Sequence, residues 1–71
     1  MNRWPSVKAN KIYKALLKIG WSVKRHRGTS HIILEKLGMP NYVWAFRDGE
    51  EIGSKMLARI SKHTGLKLED L

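Results

Sequence analysis

Three histidines are the side chains of this 71-residue chain best suited to proton transfer near neutral pH. His26 and His31 flank a short glycine-containing segment, and a basic cluster, Lys24, Arg25 and Arg27, lies beside them. A histidine next to cations and a tight turn suits RNA cleavage by the neighbouring 2′-hydroxyl. The imidazole removes the hydroxyl proton, and the cations stabilise charge that builds on the phosphate. This chemistry requires no metal.

Other catalytic chemistries have less support in the sequence. The absence of cysteine excludes disulfides and thiolate metal sites. There is no His-Glu-x-x-His motif, and His26 and His31 are predicted on different strands, so we expect neither a metal nor a cofactor. There is no Gly-x-Ser-x-Gly motif, and Ser30 and His31 alternate to opposite faces of a strand. No pair of carboxylates suggests a general acid and base.

The three histidines and two of the three tryptophans also have a purely structural interpretation. His63, near a helix end, is best explained by the helix dipole. His26 is equally compatible with an exposed strand position and with a phosphate contact. His31, considered alone, is an ordinary strand residue. Trp21 and Trp44 are predicted in the core rather than on a base-stacking surface.

The charge balance indicates a nucleic-acid partner. Fourteen Lys and Arg oppose six Asp and Glu, which leaves a net charge of +8, and the pI of about 10.2 is typical of proteins that bind a phosphate backbone. Only Glu35 interrupts the basic first half, and the other acids come later. No basic helix with a bulky apolar face favours a membrane surface instead.

Short apolar runs argue against membrane insertion. Residues 32–34 and 42–46 are far shorter than the roughly 20 residues that a bilayer requires. The first residues have no apolar segment like that of a secretion signal. We therefore expect a soluble, cytoplasmic protein.

Periodicity predicts two helices. Residues 7–19 have helical spacing, with Ser6 as the N-cap and Gly20 in a left-handed C-cap. A second helix is predicted from Ser54, as its cap, to about His63, with Gly65 ending it. The apolar tail of residues 66–71 is expected to pack back onto the core.

The segment between the helices is predicted as three antiparallel strands. Strands over residues 21–26 and 30–35 are joined by a turn at Gly28 and Thr29, and residues 37–41 form a loop. A third strand, residues 42–46, is apolar on both faces, which suggests a central or well-covered position. A polar loop covers residues 47–53. The order helix–strand–strand–strand–helix predicts a two-layer α+β domain over residues 1–71, with both helices on one sheet face.

Three blocks of the chain resemble the HicA family of toxin–antitoxin ribonucleases. The blocks are Lys18-Ile19-Gly20-Trp21, then the basic strand leading into Gly28-Thr29-Ser30-His31, then residues 48–66 from the Asp-Gly loop to the Gly-Leu step. They occur in the family's order and separations, and the likeness covers about residues 8–71.

The resemblance implies a double-stranded-RNA-binding-like fold, cleavage of mRNA and arrest of translation. It also implies a HicB-type antitoxin that masks the active site and forms a hetero-oligomer with the toxin. The family's catalytic histidine corresponds to His31. Two positions depart from the family pattern: Thr29 stands between the glycine and Ser30, and Arg47 stands where many relatives have a histidine.

The predicted site therefore combines one catalytic residue with RNA-binding residues. His31 acts as base or acid, and Gly28 and Ser30 shape the turn. The predicted phosphate contacts are Lys24, Arg25, Arg27 and Arg47, with Lys55 and Arg59 extending the basic groove.

Two other functions are compatible with parts of the sequence. The first is a non-catalytic RNA-binding module with the same fold, reading RNA shape and 2′-hydroxyls. The second is a helix-turn-helix DNA binder, but only six residues follow Gly65, too few for a recognition helix.

Overall fold

A computed structural model describes residues 5–28 and 31–71 of the chain. The elements are β1 (Val7–Lys8), α1 (Ala9–Lys18), β2 (Ser22–Arg27), β3 (His31–Lys36), β4 (Met39–Trp44), β5 (Glu51–Ile52), α2 (Ser54–Thr64) and a 3₁₀ turn (Leu68–Asp70). Strands β2, β3 and β4 form an antiparallel sheet in that order, and β1 pairs with β5 in a separate two-stranded ribbon. The predicted α+β fold with a three-stranded antiparallel sheet is confirmed.

Both helices cover the same face of the sheet. Tyr13 of α1 packs against Trp44 of β4, with ring centroids 5.9 Å apart. His63 of α2 stacks on Tyr42 of the same strand at 6.1 Å. Tyr42 and Trp44 are two residues apart and so point to one face. Within residues 5–28 and 31–71, the opposite face, called here the open face, has no helical cover.

The core lies between this sheet face and the helices. Its buried apolar side chains are Ala9, Ile12, Ala15, Leu16, Trp21, Leu34, Trp44, Ile52, Leu57, Ile60 and Leu66. Trp21 and Trp44 are both core residues, as predicted.

Trp21 was predicted in a strand, but β2 begins one residue later. The Trp21 backbone N–H donates to the Leu16 carbonyl at 3.1 Å, so it satisfies the end of α1 instead of a strand partner. The buried indole Nε1–H donates to the Thr64 carbonyl at 3.0 Å, at the end of α2. One side chain thus ties the start of the hairpin to the second helix.

The first helix is shorter at its start than predicted. Val7 and Lys8 pair with Ile52 and Glu51, so they form a strand rather than the first helical turn. Ser6 is not the cap, and α1 has no side-chain cap. Backbone carbonyls of the loop after β4 accept the first helical N–H groups instead: Ala9 donates to Glu50 at 2.8 Å and Asn10 donates to Asp48 at 3.1 Å.

The predicted loop over residues 37–41 is mostly strand. Only Leu37 and Gly38 form the turn, with Gly38 at a φ of 82°, and β4 begins at Met39. Pro40 is tolerated because β4 is an edge strand, where a missing N–H need not break a sheet hydrogen bond. The prediction of a central or well-covered third strand was wrong: β3 is central, and Val43 of β4 is 52% exposed.

The second helix begins and ends close to the predicted residues. Gly53 occupies the N-cap without a side-chain hydrogen bond, so Ser54 is the first helical residue and not the cap. Gly65 ends α2 in the left-handed conformation at a φ of 79°, as predicted. In the tail, Leu66 is buried and Leu71 packs on the core, but Leu68 is 47% exposed.

Candidate active site

A β-bulge determines which side chains of β2 face the open side of the sheet. Val23 pairs with buried Leu34, and the next pair is Arg25 with Ile33, so Lys24 is an extra residue in the ladder. A bulge of this kind shifts the alternation of the strand by one residue. Arg25 therefore lies on the face opposite to Val23, although the two residues are two positions apart and a regular strand would place them on one face.

The bulge places Arg27 beside His31. These two residues are direct cross-strand partners on the open face, both exposed to solvent. Residues directly opposite in an antiparallel ladder have Cβ atoms about 4.5–5.5 Å apart, so their side chains lie next to each other. His26 pairs with Ile32, which packs against the core, so His26 points to the helical side of the sheet. The two histidines of the hairpin are thus on opposite faces.

A shallow depression of about 340 Å³ lies at this position. Among the described residues it is lined by Arg27, His31 and Val43. The valine is the residue that the sequence analysis missed. Its signal was present in the third strand, where an apolar residue lies on the face that does not contribute to the core.

The turn between β2 and β3 is only partly described. Gly28 follows Arg27 with a φ of 68°, a left-handed conformation that glycine adopts without strain, as the predicted turn requires. Ser30, a predicted site residue, lies outside the described residues, as do Thr29 and Trp4.

Two of the remaining predicted RNA contacts, Lys55 and Arg59, are not brought together with His31. Lys55 and Arg59 are exposed on α2, which packs on the sheet face opposite to His31. Arg47 is exposed in the loop after β4, where its backbone N–H donates to the Glu50 carboxylate at 3.2 Å. Val43 and Ala45 are exposed while Trp44 and Phe46 pack on the core. This alternation favours a position for Arg47 on the side of the open face.

The described part of the chain contains no group of three or more His, Cys, Asp or Glu residues that could hold a metal ion. His63 contacts the Tyr42 ring at the end of α2, in keeping with a structural role. Within residues 5–28 and 31–71, neither helix is long and apolar enough to cross a membrane.

The family model for the HicA toxin of bacterial toxin–antitoxin systems matches residues 9–66. The chain belongs to the HicA toxin family. The match begins at the first residue of α1 and ends at Leu66, the buried residue that follows α2, so it includes the whole β2–β3 hairpin. Comparisons with curated proteins and with solved structures gave no match. The HicA family assignment makes this chain a toxin of a toxin–antitoxin system.

Proposed function

We propose that this HicA-family toxin is a metal-independent endoribonuclease that cleaves mRNA, with His31 as its catalytic residue. The observation that carries the proposal is the pairing of His31 with Arg27 on an exposed, basic sheet face. An imidazole beside a guanidinium supplies a proton acceptor and a fixed positive charge at one place. Attack of a ribose 2′-hydroxyl on the adjacent RNA phosphodiester is accelerated by both groups.

The proposed reaction is an internal transfer. His31 accepts the proton of a ribose 2′-hydroxyl, and that oxygen forms a bond to the adjacent phosphorus. The bond from phosphorus to the 5′-oxygen of the next nucleotide breaks, and the leaving oxygen takes a proton from solvent or from protonated His31. The products are a 2′,3′-cyclic phosphate and a 5′-hydroxyl end. The Arg27 guanidinium stabilises the added negative charge on the phosphoryl oxygens in the transition state.

The other basic residues bind the RNA backbone in this proposal. Arg25 and the bulge residue Lys24 lie opposite Ile33, and Arg25 is two residues along β2 from Arg27. Arg47 provides a phosphate contact from the loop after β4, and Gly28 and Ser30 shape the turn next to His31. Lys55 and Arg59 act from the helical layer, so they contact RNA beyond the cleavage site.

A HicB-type antitoxin is the proposed partner, and we propose that it forms a hetero-oligomer with the toxin by covering the open face. The exposed cations there suit an acidic partner surface. Because the substrate is mRNA, the proposed site of action is the cytoplasm.

The second candidate is an RNA-binding module without catalysis. An exposed basic sheet face is sufficient for phosphate binding, which needs no histidine. Loss of the His31 imidazole separates the two functions, because a binding module does not depend on it.

The test is induction of the intact chain, His31→Ala and His26→Ala in a bacterium, with growth and RNA integrity followed together. His26→Ala is the matched control because it removes the same side chain from the other face of the same hairpin. We expect arrest and RNA cleavage with the intact chain and with His26→Ala, and neither with His31→Ala. Purified protein is expected to leave cyclic phosphate ends in the presence of a chelator. Equal cleavage by all three chains would reject His31 as the catalytic residue, and RNA binding without cleavage would favour the binding module.

A further inference from the structure

The open face of the sheet is divided by chemical character. Among the described residues of the three strands, the cations that point to this face are Arg25 and Arg27, both on β2, an edge strand. The opposite edge strand, β4, contributes Val43. The central strand contributes His31 and Ile33 and, at the far end opposite Ser22, the exposed carboxylate of Glu35. A ligand crossing the face from β2 to β4 therefore passes from a positive surface, over the histidine strand, to an apolar surface.

One row of side chains crosses all three strands. Arg25 pairs with Ile33, and Ile33 pairs with Val43, so the three lie side by side. Ile33 is half-buried and Val43 is 52% exposed, and neither belongs to the core cluster. We call these two residues the apolar shelf. Ile33 of the shelf is two residues from His31 on the same strand and the same face. The outer residue of the shelf, Val43, lines the depression that Arg27 and His31 also line.

The polarity of this row matches that of a single nucleotide. A nucleotide has an anionic phosphate at one end and a flat base with apolar faces at the other, joined by the ribose. The row spans two strand spacings, about 9.6 Å, which is comparable to the span from phosphate to base. An RNA strand whose backbone follows β2 would place its riboses over β3, where His31 lies.

We propose that the RNA backbone runs along β2 and that one unstacked base lies on the apolar shelf of Ile33 and Val43. This inference rests on the proposed ribonuclease function and specifies its substrate as single-stranded RNA, since a paired and stacked base cannot reach the shelf. Val43 is a positioning residue in this arrangement: it holds the nucleotide so that its 2′-hydroxyl is next to His31.

The experiment measures binding with two single-stranded probes of equal charge. One is a 2′-fluoro RNA oligomer, which has bases but lacks the attacking hydroxyl, and the other is an oligomer of abasic deoxyribose phosphate. The variants are Val43→Asp, Val43→Trp and Arg25→Gln. Leu37→Asp is the matched control, because it adds the same charge at a fully exposed leucine of the turn after β3. Leu37 is four residues from Ile33, about 13 Å along the strand. At 0.1 M salt this distance exceeds the Debye length of about 10 Å, so the carboxylate introduced at Leu37 has little effect on a ligand at the shelf.

We expect Val43→Asp to weaken binding of the base-containing probe about fivefold and to change binding of the abasic probe by less than twofold. Val43→Trp is expected to tighten binding of the base-containing probe about threefold, because an aromatic face stacks on a base. Arg25→Gln is expected to weaken the binding of both probes equally, since it removes a phosphate contact that both probes make. Leu37→Asp is expected to change the binding of neither probe. Melting temperatures within about 3 °C of the intact chain show that the Val43 variants remain folded.

The inference is overturned if Val43→Asp and Leu37→Asp weaken binding equally, or if Val43→Asp weakens both probes to the same extent. It is also overturned if the intact chain binds neither probe. Cleavage of ordinary RNA by the intact chain and by His31→Ala, measured in parallel, tests the proposed function separately. A further outcome is that the intact chain cleaves RNA and His31→Ala does not, while Val43→Asp changes the binding of both probes equally. In that case the ribonuclease proposal stands and the proposed position of the base is rejected. If Val43→Trp changes the binding of neither probe, the inference is also overturned, and the apolar shelf is then better explained as a contact for a protein partner.

Discussion

Arg27 and His31 are cross-strand partners on the open face, although strict alternation along β2 would place Arg27 on the helical side with Val23. The extra residue Lys24 changes the phase of the strand between them. The guanidinium is therefore next to the imidazole, and His26 is turned away. This relationship is the basis of the first two predictions.

Replacing the guanidinium should slow cleavage more than it weakens binding. In the proposed mechanism, Arg27→Gln removes a charge adjacent to the reacting phosphate, and loss of one transition-state donor commonly reduces rates about a hundredfold. We expect that loss in the cleavage rate, and RNA binding weakened less than tenfold. Arg27→Lys should recover part of the rate. Lys62→Gln on α2, an exposed residue with the same change in charge, is the control. A rate reduction shared by Arg27→Gln and Lys62→Gln would indicate only a long-range charge effect.

Two single-residue deletions in β2 should have opposite effects. Deleting Lys24 removes the bulge and leaves a regular ladder in which Arg27 still faces His31. Cleavage should stay within about tenfold of the intact chain, because the deletion removes one proposed phosphate contact. Deleting His26 moves Arg27 opposite Ile32 and onto the helical side, so cleavage should fall about a hundredfold or more.

Circular dichroism and melting curves establish that both deletion variants fold, and cleavage of the same RNA substrate compares their rates. Equal loss of cleavage in two folded variants would mean that the Arg27 register does not matter.

The hydrogen bond from Trp21 to Thr64 should contribute measurably to stability. Trp21→Phe removes the indole N–H that satisfies a buried carbonyl at 3.0 Å. An unsatisfied buried acceptor and the lost ring volume together cost about 2 kcal/mol. For a domain of this size that lowers Tm by roughly 10 °C. Calorimetry checks the shift, and cleavage per folded molecule well below Tm should be unchanged. A fall of less than about 3 °C would show that another donor, such as water, replaces the indole.

The unfolding free energy should decrease at high pH through Tyr42. Burial raises the pKa of the Tyr42 phenol above its ordinary value of 10.0. The unfolded chain therefore releases this proton at a lower pH than the folded chain, and its contribution to stability is lost as the pH rises above about 10. Tyr42→Phe keeps a ring for the contacts with Trp44 and His63 but has no such proton.

Denaturant unfolding of the intact chain and Tyr42→Phe at several pH values from 9 to 11 measures this difference. We expect the variant to lose less stability over that range. Parallel curves for the two chains would contradict the predicted linkage.

The sequence alone predicted the local features of this protein. Helical periodicity, the glycines at Gly28 and Gly65, and the large apolar residues Trp21 and Trp44 are properties of short segments, so two helices, a hairpin turn and much of the core followed from them. The clustering of charge in residues 24–27 predicted a basic surface next to His31. The family blocks identified the chain as a HicA toxin before any geometry was known, and the family match over residues 9–66 confirms it.

The tertiary structure decided where distant segments meet and which faces their side chains occupy. The pairing of Val7 with Ile52 joins residues 45 positions apart, and it converts the expected first helical turn into a strand. The bulge at Lys24 cannot be read from a period-two pattern, because one extra residue reverses every later side chain of the strand. Val43 could be assigned to the open face only once its partner, Ile33, was known. These features depend on register and packing between elements, which local periodicity does not encode.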